Sequence, residues 1–365
     1  MTKSIIQTDR LMRPIAHFSF GVRVANEILI GATAGTDTSI RLAGATAGLT
    51  DMQAQAERMF ANFAISVDVL GGRMEDVAYV KSYITDWRDA PVYREAFKKF
   101  FGPRHPVHSL VLSAGFPLPQ ATVEAEMIMQ FGTPMRRFAV AGPFDDAGRL
   151  LGGADPVAQT GHALEALART LSIEGQSLRD VVMMRMTLAD IRDLGAIEHV
   201  YQRVFAPPFP ARTVVGAALA HPDQLIELDA IVVKGGGAPV GVARDTLGCA
   251  SHAMLAGDYL YLSGQHAPTG ATVEAQTRLA WEQINALLAM ANMNSEDVIH
   301  TTNVLTDWRS YGGFNAGYGA HAHPPYPPRA TVLGGLAEPR ALVQIEAVAH
   351  RHGRDATFIN VPGAS

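Results

Sequence analysis

Cysteine is almost absent from this chain of 365 residues, since Cys249 is the only one. A single thiol excludes an intramolecular disulfide and is typical of proteins from a reducing compartment. No apolar run reaches the roughly 18 residues of a membrane-spanning helix, and no basic, apolar leader stands at the N-terminus. These absences predict a cytoplasmic protein that no membrane segment anchors.

Positive charge is scarce as well. The chain has 30 Lys and Arg against 35 Asp and Glu, a net charge of −5, and its basic residues form no run. This balance gives no electrostatic footprint for nucleic acid, so we expect no nucleic-acid partner. The few lysines follow no repeating pattern: Lys3, Lys81, Lys98, Lys99 and Lys234. With 48% hydrophobic and 18% charged residues, the composition is otherwise that of an ordinary globular protein.

What the chain does contain is one pattern repeated three times. Strand-like runs end at Asp86, Asp190 and Asp307, which are 104 and 117 residues apart. Three more sets keep the same two spacings: Gln55, Gln159 and Gln276; Asp76, Asp180 and Asp297; and His108, Arg212 and Arg329. Repeats of this length are domain-sized and too long for a solenoid. We therefore predict three units, at residues 1–132, 133–236 and 237–365.

The first unit shows the order of elements most clearly. Residues 26–35 have the β-branched character of a strand, and apolar spacings of three and four predict a helix over residues 50–70. A strand, a second helix and two final strands follow. The order is β(β)αβαββ, an α/β (α+β) arrangement, and the other two units repeat it, the second with a shortened start.

The last strand of the first unit indicates how the units pack. Four apolar residues alternate with three others along it: Val123, Ala125, Met127 and Met129 against Glu124, Glu126 and Ile128. We interpret the four apolar positions as a sheet face that no helix covers, and such a face needs a partner. Three units joining these faces predict a pseudo-threefold barrel with helices outside. The chain would then be a pseudotrimeric monomer, and further assembly into a homodimer is left open.

The units resemble the Rid family, also called YjgF or endoribonuclease L-PSP. The third unit carries the resemblance in YLYLSGQHAP, YPPRATV and LVQIEAVAHR, and the second in FPARTVV and IELDAIVV. The first has VEAEMIM, but PVHS where the arginine belongs. The resemblance covers about residues 14–353 as three fused copies. It implies the YjgF-like (chorismate mutase-like) fold, which shorter members of about one unit assemble as homotrimers.

The resemblance also implies a site in each cleft between neighbouring units. In deaminating members, the arginine of the Pro-Ala-Arg segment binds the substrate carboxylate, and a glutamate on the last strand positions the hydrolytic water. The implied reaction is hydrolysis of an enamine or imine, such as 2-aminoacrylate, to a keto acid and ammonia. No metal or organic cofactor takes part. We therefore expect a metal-independent hydrolase of C–N bonds that acts on a small-molecule carboxylate and, because its clefts have diverged, serves one pathway.

Arg212 and Glu227 are the only arginine and glutamate at matching positions of one unit. A guanidinium grips a carboxylate through two parallel hydrogen bonds, and a carboxylate can hold and deprotonate a water. We predict Arg212 as the substrate clamp and Glu227 as the catalytic base. The alternative is a structural ion pair across a hairpin.

The other two units differ at these positions. Arg329 has Gln344 as its counterpart, and glutamine can hold a water but cannot accept its proton. Binding without turnover is therefore expected there. His108 occupies the arginine position of the first unit, with Glu124 available beside it. Neutral imidazole is a poor carboxylate clamp, so this cleft is either altered or uses a His–Glu acid/base pair.

Further binding residues are expected in the loops after the opening strands, namely Ser263, Gly264 and Gln265 in the third unit and Gly142 in the second. The tyrosine that the family has near the start of the unit is replaced by Phe18 in the first unit, and Ala250 stands near that position in the third. His321 and His323 lack a third ligand at a recognisable spacing, so no metal site is predicted.

Two other functions stay open. One is a different small-molecule enzyme on the same architecture, either chorismatase-like or a ring-amide hydrolase of the cyanuric acid type. The latter needs a Ser–Lys pair in each unit, which the unpatterned lysines do not supply. The other is a non-catalytic ligand-binding or scaffold protein, which is favoured if all three clefts are degenerate.

Overall fold

The computed structural model describes residues 3–44, 47, 49–241, 249–354 and 356–361. The first unit contains strands β1 Lys3–Thr8, β2 Gly21–Val24, β3 Glu27–Ala34, β4 Val77–Ile84, β5 Val107–Leu112 and β6 Val123–Gln130, and helices α1 Asp51–Val69 and α2 Ala90–Phe101. The second contains β7 Arg137–Ala141, β8 Val181–Leu188, β9 Ala211–Gly216 and β10 Ile226–Val232, with α3 Pro156–Ile173 and α4 Leu194–Val204. The third contains β11 Ala238–Val240, β12 Ala253–Ala256, β13 Tyr259–Gln265, β14 Val298–Leu305, β15 Arg329–Leu333, β16 Gly335–Leu336, β17 Val343–His350 and β18 Ala356–Val361, with α5 Val273–Met290 and α6 Tyr311–Gly319. The predicted order of elements recurs in each unit, with additional strands at the start of the first unit (β1) and in the third unit (β11, β16 and β18).

Each unit builds one sheet. The strand orders are β18-β1-β2-β3-β6-β4-β5, β16-β9-β8-β10-β7 and β11-β12-β13-β17-β14-β15. The last two strands of a unit do not form a hairpin, because β9 pairs in parallel with one side of β8 and β10 pairs antiparallel with the other. Two strands cross the expected boundaries. β18 joins the sheet of the first unit beside β1, and β16 joins that of the second beside β9.

The residues that mark the repeat have structural roles. The side-chain oxygen of Gln55 accepts a hydrogen bond from the backbone N–H of Thr122 at 2.8 Å, and its amide donates to the carbonyl of Gln120 at 3.0 Å. Gln159 and Gln276 make the same two bonds ahead of β10 and β17. The repeated aspartates each cap a short 3₁₀ turn and pair with an arginine two residues later: Asp86, Asp190 and Asp307.

Each unit has its own apolar core between its helices and its sheet. The four apolar residues of β6 belong to the first of these cores, packed with Met59 and Phe63 of α1: Val123, Ala125, Met127 and Met129. The prediction that these residues form an uncovered face is therefore wrong. Alternation along a strand defines two faces but does not say which one the helices cover. The opposite face, with Ile128 and Glu126, meets the other units.

That opposite face forms a core shared by all three units. Its apolar members include Leu29, Ile128, Met183, Ile231, Tyr261 and Val348. One buried ion pair crosses each junction between units: Lys81 with Asp229 at 3.2 Å, Arg185 with Glu346 at 2.5 Å, and His300 with Glu126 at 2.9 Å. We call these the central ion pairs. They link the first unit to the second, the second to the third and the third back to the first, so the units close a ring. How closely the ring follows a threefold axis stays a prediction.

Arg136, in the linker between the first two units, ties the first unit to the third. Its guanidinium is fully buried and makes two hydrogen bonds to Glu27 of β3, at 3.0 and 2.6 Å. Its Cζ lies 4.6 Å from the ring centroid of Tyr259 on β13. Burial opposes ionisation of Glu27, but the charge and hydrogen bonds of Arg136 outweigh it and hold the pKa of Glu27 below its ordinary value.

Arg136→Met should lower the free energy of unfolding by about 3–5 kcal/mol, because it leaves the carboxylate of Glu27 buried without a cation. Arg137→Met is the matched control. Arg137 is 50% exposed and pairs with an exposed Glu174, so this change should cost about 0–1 kcal/mol. Urea unfolding of both variants measures the difference. Equal effects would mean that Arg136 does not hold the units together.

None of the helices in the described part of the chain combines the length and apolar character needed to cross a bilayer.

Candidate active site

Each junction between units forms a cleft of the same construction. The edge strand of one unit (β5, β9 or β15) lies against the opening strand of the next (β7, β13 or β3). The edge strand carries the arginine position, and the last strand of the next unit supplies the acid position. The 1–2 cleft thus holds His108 and Glu227, the 2–3 cleft holds Arg212 and Gln344, and the 3–1 cleft holds Arg329 and Glu124.

The structure does not bring Arg212 and Glu227 together. Strand β8 lies between them, with Arg212 opposite Met184 and Glu227 opposite Thr187. Met184 faces the helix-side core and Thr187 faces the space between units, so Arg212 and Glu227 leave opposite faces of the sheet. Neither the predicted clamp-and-base pair nor an ion pair across a hairpin is formed.

The same geometry separates the other two predicted pairs. Strand β4 lies between His108 and Glu124, and strand β14 lies between Arg329 and Gln344. In every unit the arginine position and the acid position therefore belong to two different clefts.

The 2–3 cleft contains a cavity of about 190 Å³. Five of the residues predicted from the sequence line it: Arg212, Ser263, Gly264, Gln265 and Gln344. The hydroxyl of Ser263 accepts a hydrogen bond from the backbone N–H of Arg212 at 2.8 Å, and the N–H of Gly264 donates to Thr213 Oγ1 at 3.0 Å. A Cβ at Gly264 would lie 2.6 Å from the side chain of Gln344, so a larger residue there would have to displace that side chain. The loop and the neighbouring edge strand form one continuous wall.

Arg212 is neutralised within its own unit. Its Nη1 donates to both carboxylate oxygens of Glu198 on α4, at 3.0 and 3.1 Å, and both side chains are buried. Its Cζ lies 4.7 Å from the ring centroid of Tyr201. A substrate carboxylate in this cleft would compete with Glu198 for the guanidinium. Gln344 offers no base in return.

The 1–2 cleft has a packed histidine in place of a clamp. The ring of His108 stacks on Phe97 with centroids 4.2 Å apart, and its Nε2 shares a hydrogen bond with Ser82 Oγ at 3.1 Å. Burial, with the nearby charge of Arg94 as a further cause, lowers the pKa of His108 to about 3, so the ring is neutral at pH 7. It cannot hold a carboxylate by charge.

Glu227, across the same cleft, accepts a hydrogen bond from Ser109 Oγ at 2.6 Å. Burial raises the pKa of Glu227 to about 7, although the bond from Ser109 opposes the rise. Gly142, in the loop of the second unit, is closely packed, since a Cβ there would lie 2.9 Å from the ring of Phe144. This cleft therefore has an acid but no cation at the arginine position.

The 3–1 cleft has an arginine with neutral partners only. Arg329 is 4% exposed, and its Nη2 donates to Asn315 Oδ1 at 2.6 Å and to the hydroxyl of Tyr311 at 3.4 Å. Its Nη1 has no hydrogen-bond partner among the residues the structure describes. Its Cζ lies 4.6 Å from the ring centroid of Tyr318 and 5.8 Å from that of Phe18. No carboxylate among the described residues pairs with this guanidinium.

Glu124 supplies the acid of this cleft. It is 7% exposed, and none of the described side chains or backbone groups donates a hydrogen bond to it. Burial raises its pKa to about 8. Glu124 lies opposite Ala34 of β3 in the sheet register. Gly31, on the same strand, packs against the backbone of Arg329, and a Cβ at Gly31 would lie 2.6 Å from the backbone nitrogen of Arg329. Arg329 and Glu124 thus border the same short segment of β3.

Sequence reasoning missed the residues that make the clefts unequal. The second helix of each unit places a different side chain at the same repeat position: Arg94, Glu198 and Asn315. These residues keep the spacings of 104 and 117, so extending the repeat comparison to the helices would have found them. No group of three His, Cys, Asp or Glu in the described ranges has the arrangement of a metal site.

Three α+β units joined in a ring, with a cleft at each junction, define a fused form of a single-unit fold. The Endoribonuclease L-PSP family model matches residues 8–131, 133–234 and 243–351, so the chain belongs to this family. It is similar to the 3-aminoacrylate deaminase RutC of Acinetobacter baylyi, with 38% identity over 89 residues that make up 24% of this chain and 71% of RutC.

The chain is also similar to two solved structures. RidA from an Antarctic Psychrobacter species is 29% identical, covers 35% of this chain and 98% of its own, and has a TM-score of 0.32. TdcF of E. coli with bound serine is 23% identical, with coverages of 35% and 98% and a TM-score of 0.32.

Proposed function

We propose that this protein hydrolyses a carboxylate-bearing enamine or imine to a keto acid and ammonia, and that the 3–1 cleft is where it does so. The observation that carries the proposal is the buried guanidinium of Arg329, which has only neutral hydrogen-bond partners among the described residues and lies at the junction where the acid Glu124 borders the same segment of β3. The similarity to RutC, a 3-aminoacrylate deaminase, supports the reaction class. Arg329 and Glu124 take the roles that the sequence assigned to Arg212 and Glu227.

Arg329 would bind the carboxylate. A guanidinium stays charged and offers two parallel N–H groups, which match the two oxygens of a carboxylate. The rings of Phe18 and Tyr318 lie close to it and limit access of water. A substrate carboxylate is then the strongest acceptor within its reach.

Glu124 would give and take the proton. With a pKa of about 8 it is mostly protonated at pH 7, so it can protonate the carbon of an enamine and leave an iminium. The carboxylate that remains accepts a proton from water as the water oxygen attacks the C=N carbon. Glu124 then carries a proton from the new hydroxyl to the amine, the C–N bond breaks, and ammonia leaves. One water is consumed, and Glu124 ends as it began.

We propose a binding role for the 2–3 cleft. It has a formed cavity with neutral hydrogen-bonding side chains, Ser263, Gln265 and Gln344, but no acid at the position that Glu124 occupies in the 3–1 cleft. Groups of this kind can hold a small polar molecule without moving a proton.

Ammonia release tests the proposal. The substrates are 2-aminoacrylate, 2-iminobutyrate and the imine of phenylalanine, each generated enzymatically in the presence of EDTA. At least one should be hydrolysed faster than in buffer, with no effect of the chelator, and Arg329→Met should lose this acceleration by about 100-fold or more. Background rates with all three imines would contradict the proposed reaction.

A further inference from the structure

A second cavity lies against the 3–1 cleft. Its volume is about 790 Å³, and it is a partly open groove bordered by the start of the first unit, the turn at residues 324–326 of the third unit, and β18. Two charged residues, Asp9 and Arg13, line it, but its wall is otherwise mainly apolar and rich in aromatic rings: Met12, Phe18, Phe20, Pro324, Tyr326 and Phe358. A wall of this composition suits an apolar group better than a charged one.

Phe18 is the wall that this cavity shares with the 3–1 cleft. Its ring lines the cavity, and the ring centroid is 5.8 Å from the Cζ of Arg329. On the other side, the turn that contains Tyr326 leads directly into β15, where Arg329 is the first residue. A molecule whose carboxylate lies on Arg329 would therefore reach this cavity past the ring of Phe18.

This cavity distinguishes the 3–1 cleft from the 1–2 cleft. Residues 9–20, between β1 and β2, supply seven of its fifteen lining residues. The second unit has no segment in that place, because β7 is its first strand and follows the linker directly. The larger binding space thus accompanies the one cleft in which an arginine with neutral partners and an acid occur together.

We propose that the cavity receives the side chain of the substrate, and that the substrates are imines or enamines of amino acids with large apolar, above all aromatic, side chains. This inference rests on the proposed function. A single well-placed methylene in an apolar pocket changes kcat/KM by about 10- to 200-fold, so a benzyl group should produce a large preference.

The preference can be measured with imines that an amino-acid oxidase makes from alanine, leucine and phenylalanine. We expect kcat/KM for the phenylalanine imine to exceed that for the alanine imine by about 30-fold or more. Thr8→Trp, which places an indole on the cavity wall, should reduce this ratio about tenfold, mainly through a loss of kcat/KM for the phenylalanine imine. Thr170→Trp, at an exposed position of α3, makes the same exchange outside the cavity and should leave the ratio unchanged.

Two results would overturn the inference while the proposed function stands: hydrolysis of the alanine imine with no preference for phenylalanine, or equal losses for all three imines in Thr8→Trp. Background rates with every imine would overturn both. Product inhibition tests binding of an apolar group in the cavity without any variant. Phenylpyruvate should inhibit the unaltered protein at a concentration about 30-fold or more below that of pyruvate, and equal inhibition would argue against an apolar site.

Discussion

Asn315→Glu is expected to lower kcat/KM for imine hydrolysis by about 100-fold, although it removes no group that contacts the substrate. The change gives Arg329 the carboxylate partner that Arg212 already has in Glu198. An internal carboxylate held against the guanidinium competes with the substrate carboxylate for the same N–H groups. The loss should appear mainly in KM, because the interaction removed is a binding interaction.

Asn315→Gln is the matched control for this change. It has the length of glutamate without the charge and should stay within about threefold of the unaltered protein, because neutral partners leave the guanidinium charge available. The reciprocal change, Glu198→Asn, removes the carboxylate that competes for Arg212 and should strengthen carboxylate binding in the 2–3 cleft without adding turnover, since Gln344 remains. An unchanged kcat/KM in Asn315→Glu, with the same thermal stability, would show that Arg329 does not hold the substrate.

Glu124→Gln is expected to abolish turnover and to stabilise the protein above neutral pH. Removing a general acid and base typically costs about 10²- to 10⁴-fold in rate. The folded-state pKa of Glu124, about 8, lies above its ordinary value of 4.5. The stability associated with this protonation is therefore fully present below pH 4.5 and is lost as pH rises through 8, at about 1.4 kcal/mol per pH unit. Glutamine carries no such loss.

Urea unfolding between pH 4 and pH 9 measures this difference. The free energies of unfolding of Glu124→Gln and the unaltered protein should agree near pH 4 and diverge steadily until about pH 8. Glu227→Gln provides a comparison with a narrower window, because the pKa of Glu227 is about 7. If the free energies of unfolding of the two proteins changed in parallel with pH, Glu124 would be solvated and ionised. That result would contradict its role in proton transfer.

The fold could be predicted from the sequence because its markers act locally. Asp86 caps a turn that begins at the next residue, and Gln55 secures a strand of its own unit, so each is needed again wherever the unit recurs. The packing of the sheet faces was harder to predict. Period-two alternation in β6 shows that Met127 and Glu126 face opposite ways, but only the helix positions decide which side is covered.

The site could be predicted only as residue types. Arg329 and Glu124 come from the third and first units and become neighbours because the third unit closes back on the first. Residue spacing within a unit does not show which unit will lie next to it, so the sequence alone pairs Arg212 with Glu227 of the same unit. The electrostatic state of each arginine depends on a helix residue, Glu198 or Asn315, whose contact with it exists only after the helix packs on the sheet.

The three central ion pairs are chemically different, a lysine with an aspartate, an arginine with a glutamate and a histidine with a glutamate. In a trimer of separate identical chains, one genetic change alters every junction at once, so a substitution that weakens the contact weakens all three junctions. Here it alters one junction and leaves the others intact. Fusion therefore lets each junction accumulate changes that a trimer of identical chains would not survive. It also fixes which surface meets which, so that a single cleft can specialise while the residues of the other two clefts change independently.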